Sequence, residues 1–220
     1  MRKSWAISQF SILRPLSELL IEKILALRYP HLQQHQISCH AAHTETDRVY
    51  PCGKCEKCRR IVSMLLAFDV DPSRCGYKPS QIKNSLAGFV NKGITQEAAG
   101  FRQLGFMLLQ KGLIDVPEVR KKAFGEEPEV LRLRYDPQTS PMNTIPDDLR
   151  IGLLQIFMQY AAGARRRSGK KWTSFDPLSD SSLHQNFAFE FDLAGQSVTC
   201  EEKDPAAGQN QHLWAELTWP

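Results

Sequence analysis

Cys52-Gly-Lys-Cys55-Glu-Lys-Cys58 places three cysteines at two successive Cys-x-x-Cys spacings, in a chain of 220 residues with six cysteines. A Cys-x-x-Cys turn presents two sulfurs to one point, and a third cysteine at the same spacing adds another donor. The surroundings are polar, so three clustered thiols have no packing role here. Free thiols, or a redox pair without metal, are the plain alternative. An iron–sulfur cluster is a closer rival, since it also uses Cys-x-x-Cys-x-x-Cys runs. The ferredoxin form continues to a fourth cysteine followed by proline, and this chain does not. The spacing points to zinc, which in a structural site takes four ligands in a tetrahedron. Cys39 is the expected fourth, with His40, His43 and Cys75 as alternatives. Gly53 suits the tight turn, and Lys54, Lys57, Arg59 and Arg60 would offset part of the thiolate charge.

Working outward, residues 31–58 show no helical or strand period and hold four of the six histidines and four of the six cysteines. So polar a stretch cannot bury a core of its own, and a metal would supply the missing folding energy. On its N-terminal side, Leu16, Leu19, Leu20, Ile24 and Leu27 form one helical stripe, with Arg14 or Ser17 near its start and Tyr29-Pro30 at its end. Trp5, Ile7, Phe10, Ile12 and Leu13 alternate loosely as a short strand. On its C-terminal side, Ile61, Val62, Leu65, Leu66 and Phe68 give a helix that Asp71-Pro72 breaks. Helical pieces follow to about residue 125, with Gly93 and Gly112 as stops. Asp115-Val-Pro-Glu118 has the form of a capping box for a helix near 116–124. Five glycine and proline positions within 125–146 read as a linker. A helix from Asp147 runs into Gly163-Ala-Arg-Arg-Arg-Ser-Gly-Lys-Lys171. Phe187, Phe189 and Phe191 alternate with polar residues as a strand.

The expected fold is α+β and mainly helical. Residues 1–77 would form a first segment with the metal loop, 78–146 a helical region and linker, and 147–220 a helix, a basic loop and a β tail. Apolar residues make up 42%, charged residues 24%, and the net charge is +4, which is ordinary globular composition. No apolar run approaches the roughly 20 residues of a bilayer span, and the first ten residues lack a secretory apolar core. A cytoplasmic protein with no membrane association is the expectation.

Arg14-Pro-Leu-Ser-Glu-Leu-Leu, then Ser38-Cys39, then Pro51-Cys-Gly-Lys-Cys-Glu-Lys-Cys-Arg-Arg60 resembles the C-terminal part of the 7-cyano-7-deazaguanine synthases of queuosine biosynthesis. These belong to the PP-loop ATP pyrophosphatase superfamily. The resemblance covers roughly residues 5–65. It implies that Cys39, Cys52, Cys55 and Cys58 are the family's four zinc ligands in order. It implies also that this segment is the C-terminal part of a Rossmann-like domain in an ATP-dependent carbon–nitrogen ligase. The family's Ser-Gly-Gly-x-Asp-Ser loop for ATP does not occur in these 220 residues. The loop from Cys39 to Cys52 is longer than the family's, and residues 78–220 have no counterpart in the compact synthases. The expectation is a chain inactive with ATP unless an N-terminal PP-loop half or partner subunit is present, its catalytic residues not identifiable. The competing reading is a non-catalytic, zinc-stabilised module for nucleic acid or a protein partner. Its candidate contact is the basic run Arg165, Arg166, Arg167, Lys170 and Lys171, which could hold phosphates or be a solvated helix end. Gly88-Phe-Val-Asn-Lys-Gly93 lacks the ending of a phosphate loop. Cys75 reads as a small buried residue at a turn, and Cys200 as inert.

Overall fold

Ser17 turns the chain into its first helix. Its backbone is extended, its Oγ accepts the N–H of Leu20 at 3.1 Å, and the hydroxyl donates to Val130 O at 2.6 Å. The helix, α1, spans Glu18–Arg28 and ends at Tyr29, ahead of Pro30. The computed structural model describes residues 10–183 other than 46, 140, 141, 143 and 144, together with the backbone of 191–193 and 196–198. The chain divides into two units, Met1–Asn186 and Phe187–Pro220.

In the first unit α1 is a wall between two apolar cores. Leu19 and Ala26 face one, and Leu20 and Ile24 face the other. Leu27, expected on the buried stripe, is 44% exposed, and Ala26 and Glu22 lie buried instead. The first core is built by α2 (Glu56–Ala67), α3 (Pro79–Lys92) and α4 (Ala98–Gln110). Its centre is a trio of rings, Phe89, Phe101 and Phe124, with centroids 5.4 to 5.9 Å apart. Gly105 makes room for it, since a Cβ there would come within 2.5 Å of Phe124 Cγ. Gly93 and Gly112, both at positive φ, end α3 and α4 as expected.

The second core joins Leu20 and Ile24 to Leu133, Met142, Ile145, Leu154, Phe157, Ala164 and Leu183. Its three-stranded sheet runs β3 (Leu133–Tyr135), β4 (Ala164–Ser168), β5 (Lys171–Phe175). Strands β3 and β4 are parallel, linked through α6 (Asp147–Tyr160), and β4 and β5 are antiparallel. Arg150, fully buried on α6, donates to Ile145 O and Leu183 O and so clamps the segments on either side. Both cores draw on residues before and after position 77, and the second also spans position 146.

Among the described residues the architecture is α+β, with more residues in helices than in strands. Several local expectations are corrected. Residues 125–146 are no linker: a 3-10 turn, Pro128–Leu131, and strand β3 lie there, and Val130, Leu133, Met142 and Ile145 are buried. Pro128 opens that turn, and Pro146 caps α6. The helix near 116–124 shrinks to α5, Glu118–Lys121, whose cap is Pro117 rather than Asp115. Residues 10–13 of the expected first strand are not strand; residues 1–9 lie outside the described residues. So does most of the phenylalanine strand, of which Phe191–Leu193 forms β6, antiparallel to β7 (Gln196–Val198), in the second unit. No helix among the described residues is long and apolar enough to cross a membrane.

Candidate metal centre

The polar stretch between α1 and α2 folds back on itself. A 3-10 turn, Pro30–His35, leads to Cys39, and a short antiparallel hairpin follows, β1 (His43–Glu45) with β2 (Arg48–Tyr50). His43 stacks on its cross-strand partner Tyr50 at 6.2 Å. The hairpin takes up the long interval from Cys39 to Cys52 and returns the chain beside its start. At Gly53, φ is +69°, so the chain makes its tight turn in a region that suits glycine. Cys55 then caps α2: its backbone is extended and its Sγ accepts the N–H of Cys58 at 3.5 Å. Cys58 lies in the first helical turn, on the same face as its cap.

The Sγ atoms of Cys39, Cys52, Cys55 and Cys58 all lie within 4.8 Å of one another. Cys52 to Cys58 is 3.8 Å and Cys55 to Cys58 is 3.5 Å. With Zn–S near 2.3 Å, the edge of a tetrahedron of sulfurs is ~3.8 Å. The group therefore fits a single tetrahedral ion. An iron–sulfur cluster would put several iron and sulfide atoms between the thiolates and spread them further. Alternative fourth ligands are accounted for elsewhere. His40 Nε2 lies 2.8 Å from Lys57 Nζ, and His43 Nε2 lies 2.9 Å from Glu45 Oε1. Cys75 is fully buried, with its Sγ donating to Gln36 Oε1 at 3.7 Å.

The electrostatics differ from sulfur to sulfur. Burial alone would push Cys52 up. The N–H groups of Lys54 and Cys55 and the thiols of Cys39 and Cys55 donate to it, and the net effect is a value lowered to about 6. Burial pushes Cys58 and Cys39 up. Tyr77, itself 4% exposed, opposes that rise at Cys58 through its hydroxyl without reversing it. No sequence pattern marks Tyr77 for this role. Arg59 and Arg60 brace the site rather than face the sulfurs. Arg59 donates to Gly93 O and Lys54 O, and Arg60 donates to Thr95 O and pairs with Glu18. Helix α3 covers the turn: Gln81 Nε2 donates to Pro51 O at 3.3 Å and Ser85 Oγ to Gly53 O at 3.4 Å. A cavity of about 560 Å³ opens beside Cys39, lined also by Gln34, His35, Ile37, Asp47 and Arg48.

The basic run has a different setting from the one expected. It is strand β4 and its hairpin, not a helix end. Arg165 pairs with Glu129, Arg166 with Asp180 and Arg167 with Asp136, and Arg166 also lies over the rings of Tyr135 and Phe175. Each of the three arginines thus has a carboxylate partner. Gly88-Phe-Val-Asn-Lys-Gly93 is the last part of α3 and its cap. Cys200 lies outside the described residues. No protein-family model matches the chain, and neither a curated protein nor a solved structure matches it.

Proposed function

We propose that Cys39, Cys52, Cys55 and Cys58 hold one structural zinc ion, and that the chain is the zinc-bearing part of a 7-cyano-7-deazaguanine synthase-like ligase of the PP-loop superfamily. The convergence of four thiols within 4.8 Å carries this reading. It supports the resemblance because those four cysteines are the ones the family motif picks out. When bound, zinc would supply a fixed tetrahedral anchor. The chain's own residues do the rest: Gly53 makes the turn and Cys55 caps α2. The 560 Å³ cavity beside Cys39 falls in the volume range of small-molecule sites, and it opens to the surface along the metal loop. Residues 1–77 would then pack as the C-terminal part of a Rossmann-like domain, in the cytoplasm. ATP chemistry would need a PP-loop half or partner subunit, because these 220 residues hold no Ser-Gly-Gly-x-Asp-Ser. That same sequence fact favours the second reading, a zinc-stabilised module that binds nucleic acid or a protein.

The test has two parts. Elemental analysis of protein purified without added metal should find one zinc per chain; iron or no metal would remove the first part. AMP release from ATP with candidate deazapurine carboxylates should be absent for the chain alone and appear with a PP-loop partner. AMP release by the chain alone would overturn the need for a partner. No release with any partner would leave the binding module as the better reading.

A further inference from the structure

A second cleft lies at the start of α1, lined by Arg14, Pro15, Leu16 and Ser17. Two helices begin at one small cleft of about 260 Å³: Ser17, the cap of α1, and Glu97, the cap of α4, both line it. The first-turn N–H groups of a helix lack intrahelical acceptors and carry partial positive charge. Three guanidinium groups line the same cleft. Arg14 Nη1 donates to Thr139 O at 3.1 Å, Arg134 Nη1 meets Glu97 Oε1 at 3.1 Å, and Arg167 Nη1 meets Asp136 Oδ2 at 3.0 Å. The guanidinium of Arg134 also lies over the Trp172 ring, 5.3 Å from its centroid.

The two carboxylates are not equivalent. The Asp136 side chain is 6% exposed and its Oδ1 accepts the N–H of Gln138 at 2.9 Å, so it is fixed and serves to aim Arg167. The Glu97 side chain is 53% exposed and makes no capping bond to α4, so it is free to swing away from Arg134. Counting Arg14, Arg134 and Arg167 against Glu97 and Asp136 leaves a formal surplus of about one positive charge, before the two helix starts add theirs. We propose that this cleft binds a phosphate group, free or as a small monoester, with Arg14, Arg134 and Arg167 as its donors and Glu97 as the side chain it displaces. Guanidinium forks match phosphate oxygens, and the oriented helix starts favour the same sign of charge. The proposal does not rest on the metal centre or on the ligase reading.

The experiment is calorimetric titration of the full 220-residue chain with inorganic phosphate and, separately, with AMP, both at about 0.15 M salt to screen diffuse attraction. Both should bind; tighter AMP assigns the site to a monoester, and equal affinity assigns it to the phosphate alone. Arg14→Gln, at an exposed position, should weaken binding about tenfold, or about 1.4 kcal/mol. Glu97→Gln should tighten it several-fold by removing the competitor. Glu118→Gln makes the same charge change on α5 and should leave affinity unchanged. Absence of binding by either ligand would overturn the proposal. An Arg14→Gln variant that binds as well as the parent would do the same, as would equal tightening by the Glu97 and Glu118 variants.

Discussion

Replacing Glu22 by glutamine should stabilise the protein at neutral and alkaline pH and leave it unchanged in acid. Glu22 lies on α1 at 4% exposure, and Gln36 Nε2 donates to both its oxygens, at 2.8 and 2.6 Å. Burial pushes its carboxyl from 4.5 up to about 7; the Gln36 bond pulls the other way and Glu18 adds a smaller push upward. Because the folded value lies above the unfolded one, the folded state holds more protons between about pH 4.5 and 7. Stability then falls as pH rises through that window, with no cost below it and the full cost above it. The rise from 4.5 to about 7 corresponds to on the order of 3 kcal/mol at 1.36 kcal/mol per tenfold. Glu22→Gln removes the charge but keeps an oxygen for Gln36. Urea unfolding of both proteins, side by side from about pH 4 to about pH 9, reads the difference directly and cancels any pH effect of the thiols. The difference should be small near pH 4 and reach its plateau above pH 7. A difference that is flat with pH, or a variant less stable at high pH, would refute the reasoning, because it would mean that Glu22 is ionised and compensated in the fold.

Four further outcomes follow from particular contacts. Tyr77→Phe removes the hydroxyl donor to Cys58 and should lower metal affinity by roughly 10- to 100-fold, read by competition with a chromophoric chelator; unchanged affinity would mean the hydroxyl does not tune the site. Gly53→Ala meets both the positive φ and Gln81, whose Cβ would lie 2.6 Å from the new methyl, so metal occupancy should fall with a cost of roughly 1–3 kcal/mol. Gly105→Ala drives a methyl into the Phe124 ring and should lower the thermal midpoint by a similar energy without touching metal content. Chelation should raise amide exchange across residues 39–55 before it reaches α3 and α4, whose buried Phe89, Leu104 and Leu108 do not depend on metal.

The four-cysteine cluster was legible because Cys-x-x-Cys spacing is a pattern that coordination chemistry sets and not the fold around it. The hairpin between Cys39 and Cys52 was not. All three residues of β1 are exposed, so burial imposes no alternation on that strand. The reading of 125–146 gave weight to prolines, and the useful signal was the apolar set Val130, Leu133, Met142 and Ile145 among them. The basic run hid a strand because it is the open ends of its hairpin, Ala164 on β4 and Phe175 on β5, that join the core, while Arg166 lies over two rings there. Glu22 and Tyr77 carry no local pattern at all. Their roles come from burial against segments 14 or 19 positions away, at Gln36 and Cys58.

The placement of the sulfurs at the start of α2 explains why the centre belongs to the fold. Cys55 is the helix cap and Cys58 lies in the first turn, so two of the four donors are fixed by the helix. Beyond them the same helix buries Ile61, Val62, Met64 and Leu65 in the first core. The other two donors, Cys39 and Cys52, sit at the two ends of a segment with little apolar surface. An ion gripped by all four ties that segment to a helix that packing already holds, and its binding energy becomes folding energy for the loop. A divalent ion with four thiolates leaves a formal charge of about −2, and the helix start is where negative charge is favoured. Four protein donors also fill the tetrahedron, which leaves no position for water or substrate.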